Sequence, residues 1–183
     1  FPTRRSSDLQ AVAQTPALLA RVQDPKAQPL DEDELRRLAL GLRTTLWQNP
    51  DASIEDWLML GRLGRVLDNA AMATQAYARA YALAPDNDRA AFGYAEALLR
   101  VSDPRGGALV RQLMESQRVN DRLLNLYALS ASEQAHFSEA LTAWRLLLKR
   151  LPPDDRRRAV IEHHINQTEQ RLTHGHPAVD AQG

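Results

Sequence analysis

The sequence contains no cysteine. Thiol nucleophiles, disulfides and covalent haem attachment through a C-x-x-C-H motif are therefore excluded. The compartment stays open, because a chain without disulfides is permitted anywhere. Net charge is also missing: Lys and Arg number 23 against 23 Asp and Glu, so no global field draws the chain to nucleic acid or anionic lipid. No stretch reaches the roughly 18 apolar residues that a membrane-crossing helix needs, and no direct membrane contact is expected of this segment. Runs of alternating hydrophobicity long enough for a strand are absent as well. Aromatic residues make up only 5% of the chain, which gives weight to where they stand.

The chain opens FPTRRSSDL. Its basic start lacks the apolar run that a secretory signal requires. The stretch reads as the translation of a sequencing-library adapter, so residues 1–9 are expected to be non-native. The native sequence would then begin near Gln10, and any membrane anchor would lie in what is lost upstream. Residues 10–30 mix Ala, Gln and Pro, with Leu18, Leu19 and Val22 able to make one short helix before Pro25; this stretch reads as a linker. From Asp31 the signals sharpen. Asp31 with Glu34 three residues on is a capping arrangement, and Leu35, Leu38, Leu42 and Leu46 follow at helical spacing, which predicts a leading helix over 31–50. Ser53 and Asp56 repeat the capping logic.

Beyond Ser53 the sequence repeats. Trp57, Leu60 and Gly61 stand in the order W-x2-L-G, followed by Ala73, Tyr77, Ala80 and Pro85, which is the tetratricopeptide (TPR) pattern with its period of about 34 residues. One period on, Leu60-Gly61 falls on Tyr94-Ala95, and two periods on it falls on Tyr127-Ala128. Ala73, Tyr77 and Pro85 recur two periods later as Ala140, Trp144 and Pro152. The pattern predicts an all-α fold: a TPR helical-hairpin solenoid with three hairpins over 53–152. A capping helix over 154–172 would follow, with Ile161, Ile165 and Leu172 as its apolar stripe, and then a disordered tail over 173–183. Small residues at Gly61, Ala95 and Ala128 let paired helices approach, while Trp57, Tyr77, Tyr94, Tyr127 and Trp144 fill the space between hairpins. The middle repeat departs from the pattern, with Val119 where a terminal Pro belongs and Asp103-Pro-Arg-Gly-Gly107 breaking into its turn. Gly64 replaces the usual Tyr, which would leave a smaller first interface.

No catalytic constellation accompanies the repeats. His163 and His164 are adjacent, point about 100° apart on a helix and cannot grip one ion, while His174 and His176 fall in the tail; no metal and no cofactor are expected. Arg156, Arg157 and Arg158 lie in a first helical turn, where the dipole disfavours cations. They read as solvated, with Arg158 and Glu162 paired; a partner carboxylate is the other explanation. Asp31-Glu32-Asp33 and Asp154-Asp155 stand at helix starts, where capping already wants them. The chain therefore reads as a binding protein and not an enzyme. The informative face is the stripe beside the repeat core: Leu58, Arg62 and Arg65, carried by the repeat offset to Phe92, Glu96 and Leu99, then to Asn125, Leu129 and Ser132. Stacked hairpins would set these side by side as a concave peptide-binding groove, with an apolar floor and a basic flank suited to an amphipathic helix.

The order of parts carries a resemblance. A DEDELRRLALGLRTTLWQNP helix precedes a repeat opening WLMLGRL, then GYAEALL, then FSEALTAWRLLL and a terminal helix. This is similar to the C-terminal repeat domain of bacterial cytochrome c biogenesis factors of the CcmI and NrfG type. The resemblance implies a periplasmic TPR module of a haem lyase assembly, anchored in the inner membrane by upstream sequence. It further implies, as partners, the C-terminal segment of an apocytochrome c and the other cytochrome c maturation subunits. The competing expectation is a scaffold or co-chaperone TPR protein with an unrelated client.

Overall fold

The computed structural model describes residues 4–175, and every regular element among them is an α-helix. In chain order these are α1 Arg4–Gln23, α2 Glu32–Gln48, α3 Ile54–Val66, α4 Ala70–Leu83, α5 Asp88–Arg100, α6 Pro104–Glu115, α7 Asp121–Glu133, α8 Phe137–Arg150 and α9 Arg157–His174. The chain divides into two compact units, the first ending at Ala97 and the second starting at Leu98, so the division falls inside α5. In the first unit α1 packs on α2, α2 on α3, and α3 on α4; in the second, α6 packs on α7, α7 on α8, and α8 on α9.

Helix starts follow the sequence. Asp31 and Glu34 form a reciprocal capping box, the Glu34 N–H donating to Asp31 at 2.8 Å and the Asp31 N–H to Glu34 at 3.2 Å. Ser53, Asn69, Asp103 and Asn120 each accept a first-turn N–H, at 3.3, 3.0, 2.9 and 2.7 Å. These side chains satisfy donors that the helix itself leaves unpaired. Helix ends use a device with no sequence flag. Asp68, Ser102, Gln117 and Ala135 take left-handed φ values of 53, 55, 58 and 60°. After each, the next N–H reaches five residues back, Asn69 to Gly64, Asp103 to Leu98, Arg118 to Leu113 and His136 to Ala131, at 2.7 to 2.9 Å. This closure usually employs glycine, and here four side chains bear the steric cost instead.

Several expectations need correction. The stretch read as a linker is mostly helix, because α1 runs through it to Gln23 with Ala11, Thr15 and Leu18 buried. Its inward face is small rather than apolar, since α2 comes in close at Gly41. A Cβ there would lie 2.6 Å from the Ala11 carbonyl oxygen and collide with the Thr15 hydroxyl. Arg21 pairs with Glu34 across the same hairpin and, as the foremost cause, holds that carboxyl below its ordinary pKa. The adapter-like stretch falls partly outside the described residues; Arg4 to Leu9 continue α1, with Leu9 67% exposed. The Asp103-to-Gly107 segment does not break the middle repeat: Asp103 caps α6, Pro104 occupies its first turn, and Gly106 lets the helix cross the end of α5 at Leu98 and Leu99.

Tyr77 organises the first unit. Its ring lies between Gly61 of α3 and Gly93 of α5, and a Cβ at Gly61 would stand 2.8 Å from it. Gly64 does more than leave a gap where Tyr is usual: the backbone N of Ala73 sits 2.6 Å from where a Cβ would be. In the second unit Trp144 is 1% exposed and stacks on His164 of α9, ring centroids 4.8 Å apart and nearly parallel. The expected stripe of α9 is present as Ile161 and Ile165, with half-buried Leu172 completing it. Thr168 fills the gap between them, its hydroxyl donating to the His164 carbonyl at 2.6 Å. The helix runs to His174, so the first two residues of the disordered tail expected over 173–183 are helical; residues 176–183 lie outside the described residues.

Candidate functional site

The stripe expected to bind peptide divides between the units. In the first, Leu58 is 2% exposed and belongs to the hydrophobic core with Trp57, Leu60 and Leu63. The expectation that the core leaves this stripe free therefore fails at Leu58. Helix α3 is flanked by α2 and by α4, and buried positions go round most of its circumference. Arg62 is exposed, with Nη2 4.0 Å from the Met59 sulfur. Arg65 lies 3.7 Å from Glu96, whose side chain is only 9% exposed, so this acid faces inward and meets a cation already in the fold. Phe92 is half-buried.

In the second unit Leu99 is buried, Asn125 and Leu129 are exposed and Ser132 is half-buried. Of the expected residues, Arg62 and Arg65 are exposed and Phe92 half-buried on the first unit, and Asn125 and Leu129 are exposed and Ser132 half-buried on the second. Leu58, Glu96 and Leu99 are buried.

A polar cluster beside Leu99 escaped the sequence reading. Leu99, Asp103, Arg111, Tyr127 and Glu139 help line a cleft of about 210 Å³. The Tyr127 hydroxyl donates to Glu139 at 3.2 Å, Arg111 stands 3.6 Å from the same carboxylate, and burial pushes the Tyr127 phenol above its ordinary range. The available signal was Tyr127 itself, marked as a space-filling repeat position whose hydroxyl needs a partner when buried.

The arginine run has internal work. Arg157 bridges Asp155 at 2.8 Å and Asp121 at 3.4 Å, so the carboxylate explanation is met within the chain for this residue. Arg158 lies 3.9 Å from Glu162 as expected, and its Nη1 also donates to the carbonyls of Leu148 and Leu151 at 2.9 and 3.0 Å. That places a cation at the C-terminus of α8, where the dipole favours it. Among the described residues no group of three or more His, Asp or Glu is placed to hold a metal, and no helix is long and apolar enough to cross a membrane.

A family model described as the TPR domain of cytochrome c-type biogenesis protein H matches residues 6–158. The chain belongs to this family. Among its CcmH/CycH relatives, the cytochrome c-type biogenesis protein CcmH of Escherichia coli is 56% identical over 168 residues, covering 90% of this chain and 48% of that protein. A Haemophilus influenzae CcmH relative is 30% identical over 167 residues, covering 89% of this chain and 36% of that protein. The chain thus spans less than half the length of the curated relatives it matches. The solved structure MamA AMB-1 P212121 shares the fold at a TM-score of 0.59 and 18% identity, over 92% of this chain and 89% of that one. MamA MSR-1 C2 does so at 0.56 and 18%, over 92% and 90%. The fold is TPR, and the family works in cytochrome c biogenesis.

Proposed function

We propose that this domain is the client-binding module of a periplasmic, membrane-anchored cytochrome c biogenesis protein. It holds the C-terminal segment of an apocytochrome c while other subunits of the haem lyase assembly attach haem, and it performs no chemistry itself. The observation that carries this reading is membership of a cytochrome c biogenesis family through its TPR domain, and repeat hairpins characteristically present peptide-binding surfaces.

The corrected stripe supplies suitable chemistry. On the first unit Phe92 offers apolar contact and Arg62 and Arg65 offer positive charge, and on the second Leu129 offers apolar contact of its own. An amphipathic helix with an acidic end complements such a set.

Calorimetric titration with C-terminal peptides from the host's c-type cytochromes tests the reading, with the C-x-x-C-H peptide as control. Because aromatic anchors dominate such interfaces, Phe92→Ala is expected to weaken binding by about 2 kcal/mol or more, roughly thirtyfold. Arg62→Ala should weaken it less and in a salt-dependent manner. If the C-terminal peptides fail to bind, or Phe92→Ala binds as tightly as the parent, the scaffold or co-chaperone reading with an unrelated client replaces this one.

A further inference from the structure

The first unit carries a second cleft, of about 290 Å³, built where α2 ends and α3 begins. The turn after Gln48 is closed by the Asn49 side chain, which accepts the Asp51 N–H at 3.0 Å, and by the Ala52 N–H on the Asn49 carbonyl at 3.3 Å. It brings Trp47 edge-on to Trp57, ring centroids 5.3 Å apart at 78°. Arg79, reaching from α4, places its guanidinium 4.5 Å from the Trp47 ring centre and 6.0 Å from that of Trp57. Trp57 is 5% exposed but Trp47 is 44% exposed, and Leu83 beside it is 56% exposed. A large aromatic, a large aliphatic and a cation thus share one open site.

We propose that this cleft docks an extended segment of a partner polypeptide, taking a carboxylate on Arg79 and a neighbouring apolar side chain against Trp47 and Leu83. Charge complementarity decides the ligand's sign. Among the described residues lining the cleft, Arg79 is the one that is charged, and none bears a carboxylate. A cation lying over an aromatic face uses the ring's negative charge while its N–H donors, which lie in the guanidinium plane, remain directed outward for a planar acceptor. The carbonyl ends of α2 and α4 would by themselves favour a cation, but Arg79 already supplies one and would repel a second. The cleft lies at the lower limit of pockets that enclose whole small ligands, so it suits one or two side chains of a peptide better than a cofactor. This docking point does not depend on which client the repeat stripe holds.

The test uses two acetylated, amidated pentapeptides, Ala-Leu-Glu-Leu-Ala and its Gln counterpart, titrated into the whole chain while tryptophan indole resonances and fluorescence are followed. The Glu peptide should shift the Trp47 indole signal and bind at least about fivefold tighter than the Gln peptide. Arg79→Gln should bring the affinity for the Glu peptide down to that for the Gln peptide. Trp47→Phe, which keeps an aromatic face, should retain the preference at reduced affinity. Equal binding of the two peptides by the parent overturns the proposal. So does equal weakening of both by Arg79→Gln, absence of binding at millimolar concentration, or binding that leaves the Trp47 indole signal unmoved. Self-association abolished by Arg79→Gln would put a second copy of the chain in the cleft and likewise overturn it.

Discussion

In the first unit helices close up on glycine, whereas at the end of the second they are tied by charge and ring stacking. Gly41 admits α1 against α2, Gly64 admits the start of α4, and Gly61 and Gly93 enclose the Tyr77 ring. At the last junction of the second unit Asp121 accepts from Arg150 at 3.0 Å and from Arg157 at 3.4 Å, Arg158 caps the carbonyls of α8, and His164 stacks on Trp144. Steric fit has no tolerance, because one added methyl must displace backbone or ring atoms. Exposed ion pairs are screened and individually weak, so the burden at that junction falls on the few apolar residues of α9.

The largest expected effect comes from attacking those residues. Replacing both Ile161 and Ile165 with Asp sets two charges in buried positions, a cost that the exposed ion pairs of the junction are too weak to offset. Circular dichroism should show the melting temperature of the chain falling steeply; an unaltered melt would mean that the charge network alone retains α9. Next in size is Gly93→Ala, which places a methyl against the Tyr77 ring and should destabilise the first unit by about 1–3 kcal/mol in urea titration. Should it prove neutral, the glycine fit would be no stricter than the ion pairs, and the contrast between the units would collapse.

Smaller effects sharpen the contrast. Ala135, at φ 60°, carries a Cβ in the left-handed region. Ala135→Gly should therefore stabilise the second unit by about 0.5–1 kcal/mol, net of the entropy that glycine restores to the unfolded chain; a destabilised variant would contradict the helix-end geometry. Asp155 tests the ion cluster by pH. Hydrogen bonds from the Arg157 side chain, then from its backbone N–H, lower its carboxyl to about 2 from an ordinary 3.8. Its contribution is thus complete above the unfolded value and is lost as pH falls from about 4 through about 2. Asp155→Asn should lower the melting temperature slightly at pH 7 and progressively less as pH falls through about 2, and a difference of undiminished size there would refute the pairing. Removing residues 1–9 should do least, because Leu9 is exposed, and codons unlike the adapter's would refute a non-native origin for the segment.

Much of this architecture was legible before any coordinates. The W-x2-L-G register located Trp57, Gly61 and Tyr77, and the N-caps at Asp31 and Ser53 marked real helix starts. Such features are local: a cap needs only its own next three residues, and a repeat writes the same contact again and again, so both survive in one dimension. Exposure along the stripe was half legible, because its spacing picked out the exposed Arg62 and Leu129 but also Leu58, which lies in the core.

What the tertiary structure alone decided are relations between distant residues of unremarkable type. Ala11, Thr15 and Leu18 become an inward face only because Gly41 lets α2 approach, so a helix with little apolar signal passed for a linker. Arg79 becomes a docking cation only because the turn after Gln48 sets Trp47 beside Trp57 under it. The sequence by itself determined the repeat, the helix starts and the absence of thiol chemistry, since composition and period depend on residue identity alone. Close approach and shared surface depend on which backbones meet, and that follows from the packing of whole helices, which no single segment encodes.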